Sequence, residues 1–355
     1  MLRKLTLTAA LVAGLAAAAP AAAERFDFVA LGDTAYNEGD GPKYDALIAS
    51  INRTQPAFVI HVGDTWGAEP CTEAQHRSVL ATFAKFEPAV FYTPGDNEWT
   101  DCRKPEVIEA YHRYVKKQAT AADMALLAPL VGLDAQMRMG GYDDGLASLA
   151  LIRRLYFAKP ESLGQKPLPM VRQSDVSDFK EFAENARWEK AGVVFVTVNV
   201  PGSNNDFTMT DERRATEAVR RNRANVEWLK AAFAEAKAKN AKAVVIALQA
   251  GMFREGRGNE QFGKEVRGGS EGPYWWVARA IQNGADAFGK PVLLVNGDFH
   301  EFVVDKPFTV SGGEEKPAAH DNITRLQVYG APDLRAVRIS VDTDTPWVFG
   351  FTPLW

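Results

Sequence analysis

The sequence predicts an α/β protein built around a largely parallel β-sheet, and three observations carry that prediction. Strand-like and helix-like segments alternate between residues 26 and 118. Four short apolar runs end in Gly-Asp, which is typical of buried strands at their carboxyl ends. Three strand-like runs close to the C-terminus suggest a meander that completes a second sheet.

The alternating region predicts strands near 26–31, 57–62 and 89–93, and helices near 43–53, 73–85 and 105–117. This β-α-β-α order favours parallel strands with right-handed crossovers. From 119 to 190 no strand pattern is visible. Helical pieces broken by Gly and Pro, among them VSDFKEFAENARW, predict a helical insertion or cap.

Beyond the insertion, the pattern predicts strands near 192–200, 243–248 and 291–295, and a helix around 275–283. A long helix follows the first of these strands, with Asp211 or Thr210 as its N-cap. The last apolar runs, TRLQVYG, RAVRISV and PWVFGF, predict an antiparallel meander in the second sheet.

Residues 1–23 have the pattern of a secretory signal peptide, with a short basic start, an apolar stretch and a small-residue cleavage site. We therefore expect residues 24–355 to form the mature domain, including an insertion at about 119–190. No later segment is apolar enough to predict a membrane span. The expected location is periplasmic or secreted.

The charge of the chain limits the classes of partner that we expect. The net charge is −4 and the basic residues are dispersed, so nucleic-acid binding is not indicated.

Export permits a disulfide between Cys71 and Cys102, and two free buried thiols are the alternative. Metal ligation by either cysteine is less expected, because neither has a CxxC partner. The oligomeric state stays open.

The four Gly-Asp pairs predict a metal site. In open α/β sheets, ligands bind at the carboxyl ends of the strands, where these carboxylates would meet. They would repel one another in a low dielectric unless cations neutralised them. The alternative for each is a simple turn, which is our interpretation of Asp40. The candidate ligands are Asp33, Asp64, Asp96, Asp298 and the nearby His300.

The order GD, GD, PG-x-x-E and late G-x-x-H resembles the calcineurin-like metallophosphoesterase superfamily, which includes purple acid phosphatases. The resemblance covers the mature chain apart from 119–190, and the string GDNEWTDC is similar to a secreted bacterial branch. It implies an α/β fold, a four-layer αββα sandwich of two mixed β-sheets flanked by helices. It also implies a metal centre where the strands end, and hydrolysis of phosphoric esters by a metal-activated water.

The resemblance also implies individual roles. Asp33 and Asp64 match metal ligands, with Asp64 bridging. The family motif GNH[DE] matches GDNE, which places Asp96 at a ligand and Asn97 at the catalytic histidine. GHxH matches GDFH and implies Asp298 and His300 as ligands, and a further family histidine corresponds to Gln249.

This chain departs from the family, because Ala35 replaces a histidine that follows the first Asp. Carboxylates with an amide oxygen favour one or two divalent ions, Mg²⁺, Mn²⁺ or Ca²⁺ over Zn²⁺, while Fe stays possible. Four carboxylates would cancel two divalent charges, so an anionic ester would need added positive charge. Candidate sources are Arg153, Arg154, Arg172, Arg187 and Arg254.

Asn97 cannot transfer a proton, although its amide could hydrogen-bond a developing oxyanion. His61 is a candidate substitute acid, with a satisfied strand histidine as the alternative. Asn204 and Asn205 are candidate substrate contacts, with loop capping as the alternative. Tyr36 is a further candidate contact.

Two functions follow. The first is an exported, metal-dependent phosphoric ester hydrolase acting on a small phosphate ester. The second is a catalytically inactive, metal-stabilised binding or scaffold protein on the same fold. Missing histidines favour the second, and the retained carboxylates favour the first.

Overall fold

The computed structural model describes residues 24–67, 69–127, 144–208, 211–253, 272–308 and 320–355. The proposed signal peptide, residues 1–23, lies outside these ranges. Within them the chain forms two mixed β-sheets of five and seven strands. No helix of the described part combines the length and the apolarity that a membrane span requires.

The first sheet has the strand order β12-β11-β1-β2-β3. β1, β2 and β3 run parallel, whereas β11 is antiparallel to both β1 and β12. The parallel part confirms the predicted β-α-β-α unit. Its strands are β1 (Phe26–Leu31), β2 (Val59–His61), β3 (Val90–Tyr92), β11 (Ala336–Val341) and β12 (Phe349–Leu354).

The second sheet has the order β4-β5-β6-β7-β8-β10-β9. Its centre, β6, β7, β8 and β10, is parallel, and both ends are antiparallel. Its strands are β4 (Val171–Arg172), β5 (Ala186–Lys190), β6 (Val193–Thr197), β7 (Ala243–Ala247), β8 (Val292–Asn296), β9 (Val303–Asp305) and β10 (Ile323–Gln327).

Side-chain caps begin some of the helices, although Gly41–Thr54 and Trp275–Phe288 have no side-chain cap hydrogen bond. Thr72 Oγ1 accepts the Gln75 amide at the start of α2, and the Asp211 carboxylate accepts two amides at the start of α7. Besides a 3₁₀ turn at Glu38–Asp40 and a short helical turn at Gly202–Asn205, the helices are α1 (Gly41–Thr54), α2 (Glu73–Phe83), α3 (Pro105–Val115), α4 (Ala121–Leu127), α5 (Gly145–Tyr156), α6 (Gln173–Val176), α7 (Glu212–Ala238) and α8 (Trp275–Phe288).

Two apolar cores explain the layering. Along β6, Val193 and Phe195 belong to the core shared with the first sheet, whereas Val194 and Val196 pack with α7 and α8. This alternation is the strand period of two, with both faces buried. Across the sheets, Phe58 and Phe195 lie 5.0 Å apart, ring centroid to ring centroid. The expected α/β class, with two mixed sheets flanked by helices, is confirmed.

Two predictions about elements are wrong. VSDFKEFAENARW does not form a helix, because its last residues enter β5 and Trp188 stacks on Phe91 at 3.5 Å between ring centroids. The region 119–190 is therefore helical only in part, and its end extends the second sheet. The C-terminal meander also divides, since β10 joins β8 in one sheet while β11 and β12 join β1 in the other.

Candidate functional site

The predicted acidic residues lie in loops that leave the carboxyl ends of parallel strands. Asp33 follows β1, Asp64 follows β2, Asp96 follows β3 and Asp298 follows β8. The first three have exposed fractions of 0%, 3% and 6%. The structure therefore gathers the carboxylates of both sheets at one buried edge rather than scattering them in solvent.

The backbone of these loops is unusual. Asp33, Asp64 and Asp298 have φ angles of 51°, 55° and 81°, and His300 has a φ of 60°. Left-handed φ values are uncommon outside glycine and cost on the order of 1 kcal/mol or more each. Backbone hydrogen bonds hold the conformation, among them Asp33 N–H to Gly63 O at 3.0 Å. Strain concentrated where the carboxylates meet is typical of a functional site.

The first and last Gly-Asp motifs meet directly. The Asp298 amide donates to Asp33 Oδ1 at 2.9 Å, and the Gly251 amide donates to Asp298 Oδ2 at 2.7 Å. Asp33 Oδ2 is buried, and no N–H or hydroxyl group of the described residues donates to it. A Cβ atom on Gly297 would come within 2.2 Å of this oxygen, so the motif needs glycine for close approach.

The second and third motifs meet through Gln249. Its Nε2 donates to Asp64 Oδ2 at 3.1 Å and to Asp96 Oδ1 at 3.2 Å. The Gly202 amide donates to Gln249 Oε1 and fixes this orientation. Gln249 is therefore a hydrogen-bond donor to the carboxylates. Its amide oxygen accepts from Gly202 here, and the expectation that it offers this oxygen to a metal stays a prediction.

His300 is oriented as metal-binding histidines are. Its Nδ1 lies 2.6 Å from the carbonyl oxygen of Ala331, which can only accept, so Nδ1 carries the proton. Nε2 then has a lone pair and lies 3.7 Å from Asp33 Oδ1. Two ligands that are each about 2.0–2.3 Å from one ion are separated by roughly 3–3.7 Å. The pair is thus placed within reach of a shared cation.

Asn97 lies at this centre, where the motif match places the family's histidine. Its backbone amide donates to Asp64 Oδ1 at 3.2 Å, and its Nδ2 donates to the Tyr36 hydroxyl at 3.1 Å. Tyr36 in turn donates to Asp64 Oδ2 at 3.0 Å, and its ring lies edge-on to His300 at 5.1 Å. Asn97 and Tyr36 therefore each donate to one oxygen of the Asp64 carboxylate and fix its orientation.

Sequence reasoning missed three polar residues that organise these loops. Glu98 is buried and accepts from the amides of Asp64 and Gly95 at 3.0 and 2.9 Å, and from Thr65 as well. In the sequence, its position as the last residue of the GDNE motif could have identified it. The other two are Ser203 and Asp101: Ser203 Oγ lies 2.9 Å from Asp96 Oδ2 and 2.7 Å from Asp101 Oδ2, so its single hydroxyl proton lies between the two carboxyl groups.

The carboxylates raise one another's proton affinity. Burial, and then repulsion from Asp298, raises the pKa of Asp33 well above its usual value. Burial also raises the pKa of Asp64 and of Asp96, with further increases from Asp96 and Asp101 respectively. Like charges buried this closely require protons or a cation. The donor set, carboxylates with one imidazole, is of a chemical type that divalent ions bind.

In the described part of the chain, no three His, Cys, Asp or Glu side chains are arranged so that they could hold a metal ion together. Gln249 Nε2 and backbone amides occupy carboxylate oxygens that an ion would take. A bound ion would have to compete with these donors.

The four described arginines proposed as sources of positive charge are in ion pairs with other acids. Arg153 contacts Glu184 at 2.6 Å, and Arg187 contacts Glu235 at 2.6 Å. Arg172 and Arg154 pair with Asp175 and Glu73 respectively. A structural role therefore accounts for the contacts of all four. Arg254 lies outside the described residues.

The two asparagines proposed as substrate contacts have structural contacts instead. Asn205 is fully buried, and its carbonyl oxygens accept from Arg221. The expectation that it contacts substrate is therefore wrong. Asn204 Nδ2 donates to Phe207 O at 2.7 Å, which matches the loop-capping alternative.

His61 is also satisfied internally. It is fully buried, with Nε2 3.2 Å from the Tyr44 hydroxyl and Nδ1 accepting from the Gly63 amide at 3.2 Å. Burial lowers its pKa to about 3. A neutral, enclosed imidazole of this kind does not serve as the substitute acid.

The predicted disulfide is confirmed. Cys71 and Cys102 are bonded, with 5.2 Å between their Cα atoms. The bond joins the loop after β2 to the loop after β3. It therefore ties together the two segments that carry Asp64 and Asp96.

Comparison with known proteins adds little to this geometry. No family model and no curated protein matches the chain. Among solved structures, the chain is similar to GAP50, the anchor in the inner membrane complex of Plasmodium, at 10% identity and a TM-score of 0.42. The match covers 93% of this chain and 88% of that one. A likeness this weak carries no argument about function.

Proposed function

We propose that this protein is a metal-dependent phosphoric ester hydrolase related to the calcineurin-like metallophosphoesterases. The observation that carries the proposal is the meeting of four Gly-Asp carboxylates, three of them buried, with His300 at the shared edge of two sheets. The motif order supports it independently of the contacts. The substrate we propose is a small phosphate ester.

The ligands we propose are Asp33, Asp64, Asp96, Asp298 and His300. One or two divalent ions held there, with Mg²⁺, Mn²⁺ or Ca²⁺ favoured, would supply Lewis-acid polarisation and water activation. The protein's own contribution is orientation. Gln249 and Ser203 hold the carboxylates by hydrogen bonds of 2.9–3.2 Å, and the Ala331 carbonyl fixes the His300 ring with Nε2 on the side of Asp33.

Asn97 is the residue we assign to a phosphoryl oxygen. Its Nδ2 donates to the Tyr36 hydroxyl, which in turn donates to Asp64. The same amide can turn toward an anion bound at this edge of the sheets. An amide donates a hydrogen bond to developing negative charge but releases no proton. Esters with good leaving groups should therefore react faster than alkyl esters.

A second function is a metal-stabilised binding protein without turnover. It is favoured by Ala35 and Asn97 in place of histidines, and by the structural ion pairs of Arg153, Arg154, Arg172 and Arg187. The two functions share one site and differ in whether an ester is hydrolysed there.

We also propose that the protein is exported. The N-terminal pattern supports this, and so does the disulfide, since such bonds persist in oxidising compartments. Cell fractionation with detection of the mature N-terminus tests it, and a full-length cytoplasmic product would contradict it.

Turnover of aryl monoesters and diesters, before and after chelation, tests the enzymatic proposal. We expect chelator-sensitive hydrolysis that a divalent ion restores and that Asp64→Asn abolishes. Asp45→Asn is the matched control, because Asp45 is exposed and pairs with Lys85. Metal binding without turnover would favour the binding protein, and neither binding nor turnover would refute both.

A further inference from the structure

A second concave surface lies between α7 and α8, on the helical layer outside the seven-stranded sheet. Two cavities of about 570 and 440 Å³ adjoin there, and Val226 and Trp276 line both. We call the joined surface the tryptophan groove. Volumes of this size are typical of small-molecule sites.

The groove has an apolar floor. Phe233 and Phe288 lie 6.3 Å apart between ring centroids, and Phe233 packs against the backbone of α8 at Gly284. A Cβ atom on Gly284 would come within 2.1 Å of the Phe233 ring, so glycine lets the ring lie this close. Trp276 stands over the floor with an exposed fraction of 52%. A large, half-exposed aromatic side chain beside a concave floor is typical of a binding surface.

The rim of the groove is basic. Arg223, Lys230, Lys237 and Arg279 line it, and no acidic side chain is among its described lining residues, although Lys230 is paired with Glu227 at 2.9 Å. Arg223 and Lys237 form no ion pair within the described part of the chain. The whole chain has a net charge of −4, so this local excess of positive charge runs against the average. The complementary ligand is therefore anionic.

We propose that the tryptophan groove binds an anionic amphiphile of small-molecule size, with a flat apolar body and one acidic group. The body would lie on Phe233, Phe288 and Trp276. The acidic group would contact Arg223 or Lys237 at the rim. This site is separate from the carboxylate centre and does not depend on the function proposed for it.

Fluorescence titration with two probes tests this assignment. Anilinonaphthalene sulfonate carries the aromatic body with a sulfonate, and N-phenylnaphthylamine carries the same body without charge. We expect saturable binding of the sulfonate probe, weakened about tenfold or more by the double variant Arg223→Glu/Lys237→Glu. The neutral probe should respond little to that variant. Trp276→Ala should weaken both probes.

Matched controls separate the groove from general surface effects. Trp347 is 85% exposed elsewhere on the chain, so Trp347→Ala should leave both titrations unchanged. Lys159→Glu should do the same for surface charge. Asp64→Asn should also preserve probe binding, which keeps this test independent of the carboxylate centre.

Three results would overturn the proposal. The first is equal binding of the sulfonate probe to wild type and to the double charge variant. The second is unchanged binding by Trp276→Ala. The third is a dimer in light scattering that Trp276→Ala dissociates while wild type excludes both probes, because the groove would then bind a second copy of this chain.

Discussion

Replacing Gln249 by glutamate probes the carboxylate centre most sharply, because the change is nearly isosteric and adds one charge. Gln249 Nε2 now donates to Asp64 and Asp96 at 3.1 and 3.2 Å. Gln249→Glu removes both donors and places another carboxylate beside them. The Gly202 amide can still donate to the remaining oxygen. The backbone around position 249 therefore has no reason to move.

The magnitude follows from these contacts. The raised pKa values of Asp64 and Asp96 favour protonated carboxyl groups in metal-free protein, where hydrogen bonds contribute about 0.5–1.5 kcal/mol each, so losing two costs about 1–3 kcal/mol. If the new carboxylate at position 249 is ionised and unpaired, the loss lies in the upper part of that range, because an unpaired buried charge is destabilising. With a divalent ion present, the new carboxylate gains a cationic partner, and we expect at least half of the loss to disappear.

Urea unfolding of wild type and Gln249→Glu, in chelator and in excess Mn²⁺, measures both quantities. Gln118→Glu is the control, since Gln118 is exposed and should change stability by less than about 0.5 kcal/mol in either buffer. Equal destabilisation of Gln249→Glu with and without the ion would refute the reasoning. So would a variant as stable as wild type in chelator.

Three further predictions concern other parts of the chain. Replacing Cys71 and Cys102 by alanine should lower the free energy of unfolding by about 3–4 kcal/mol, as expected for a separation of 31 residues, and denaturant unfolding with and without reductant checks this. Burial lowers the pKa of His76 from 6.5 to about 4, so the unfolded chain takes up a proton first as pH falls. Stability should therefore fall between pH 6.5 and 4 by about 2–3 kcal/mol more in wild type than in His76→Gln, and parallel pH profiles would contradict this. Gly95→Ala would place a Cβ atom 1.9 Å from Asp64 Oδ1, so it should weaken divalent-ion binding by about tenfold or more in calorimetry, and unchanged affinity would count against the packing described.

The local pattern of apolar residues was sufficient to predict the parallel half of the first sheet. Each of β1, β2 and β3 is a short buried run, followed by a helix whose cap or periodicity is visible in the sequence. The end of the insertion was not predictable in the same way. Trp188 belongs to a strand because it stacks on Phe195 of the next strand and on Phe91, and the contact with Phe91 joins segments far apart in the chain.

The same distinction holds at the candidate site. The Gly-Asp pattern identifies Asp33, Asp64, Asp96 and Asp298, because it marks strand ends. The orientation of Gln249 was not predictable, since the Gly202 amide that fixes it belongs to another loop. Asn205 likewise looks like a loop residue in sequence, yet a buried arginine on α7 accounts for its contacts. Pairwise contacts between distant loops decide such roles.

The clustering of four Gly-Asp carboxylates also predicts how the purified protein should behave toward metals. We expect the mature protein, loaded with Mn²⁺ and desalted, to retain one or two ions per chain by mass spectrometry. Asp64→Asn should retain fewer. A wild-type protein that holds no divalent ion, with Mg²⁺, Mn²⁺, Ca²⁺, Zn²⁺ and Fe each offered, would contradict the account.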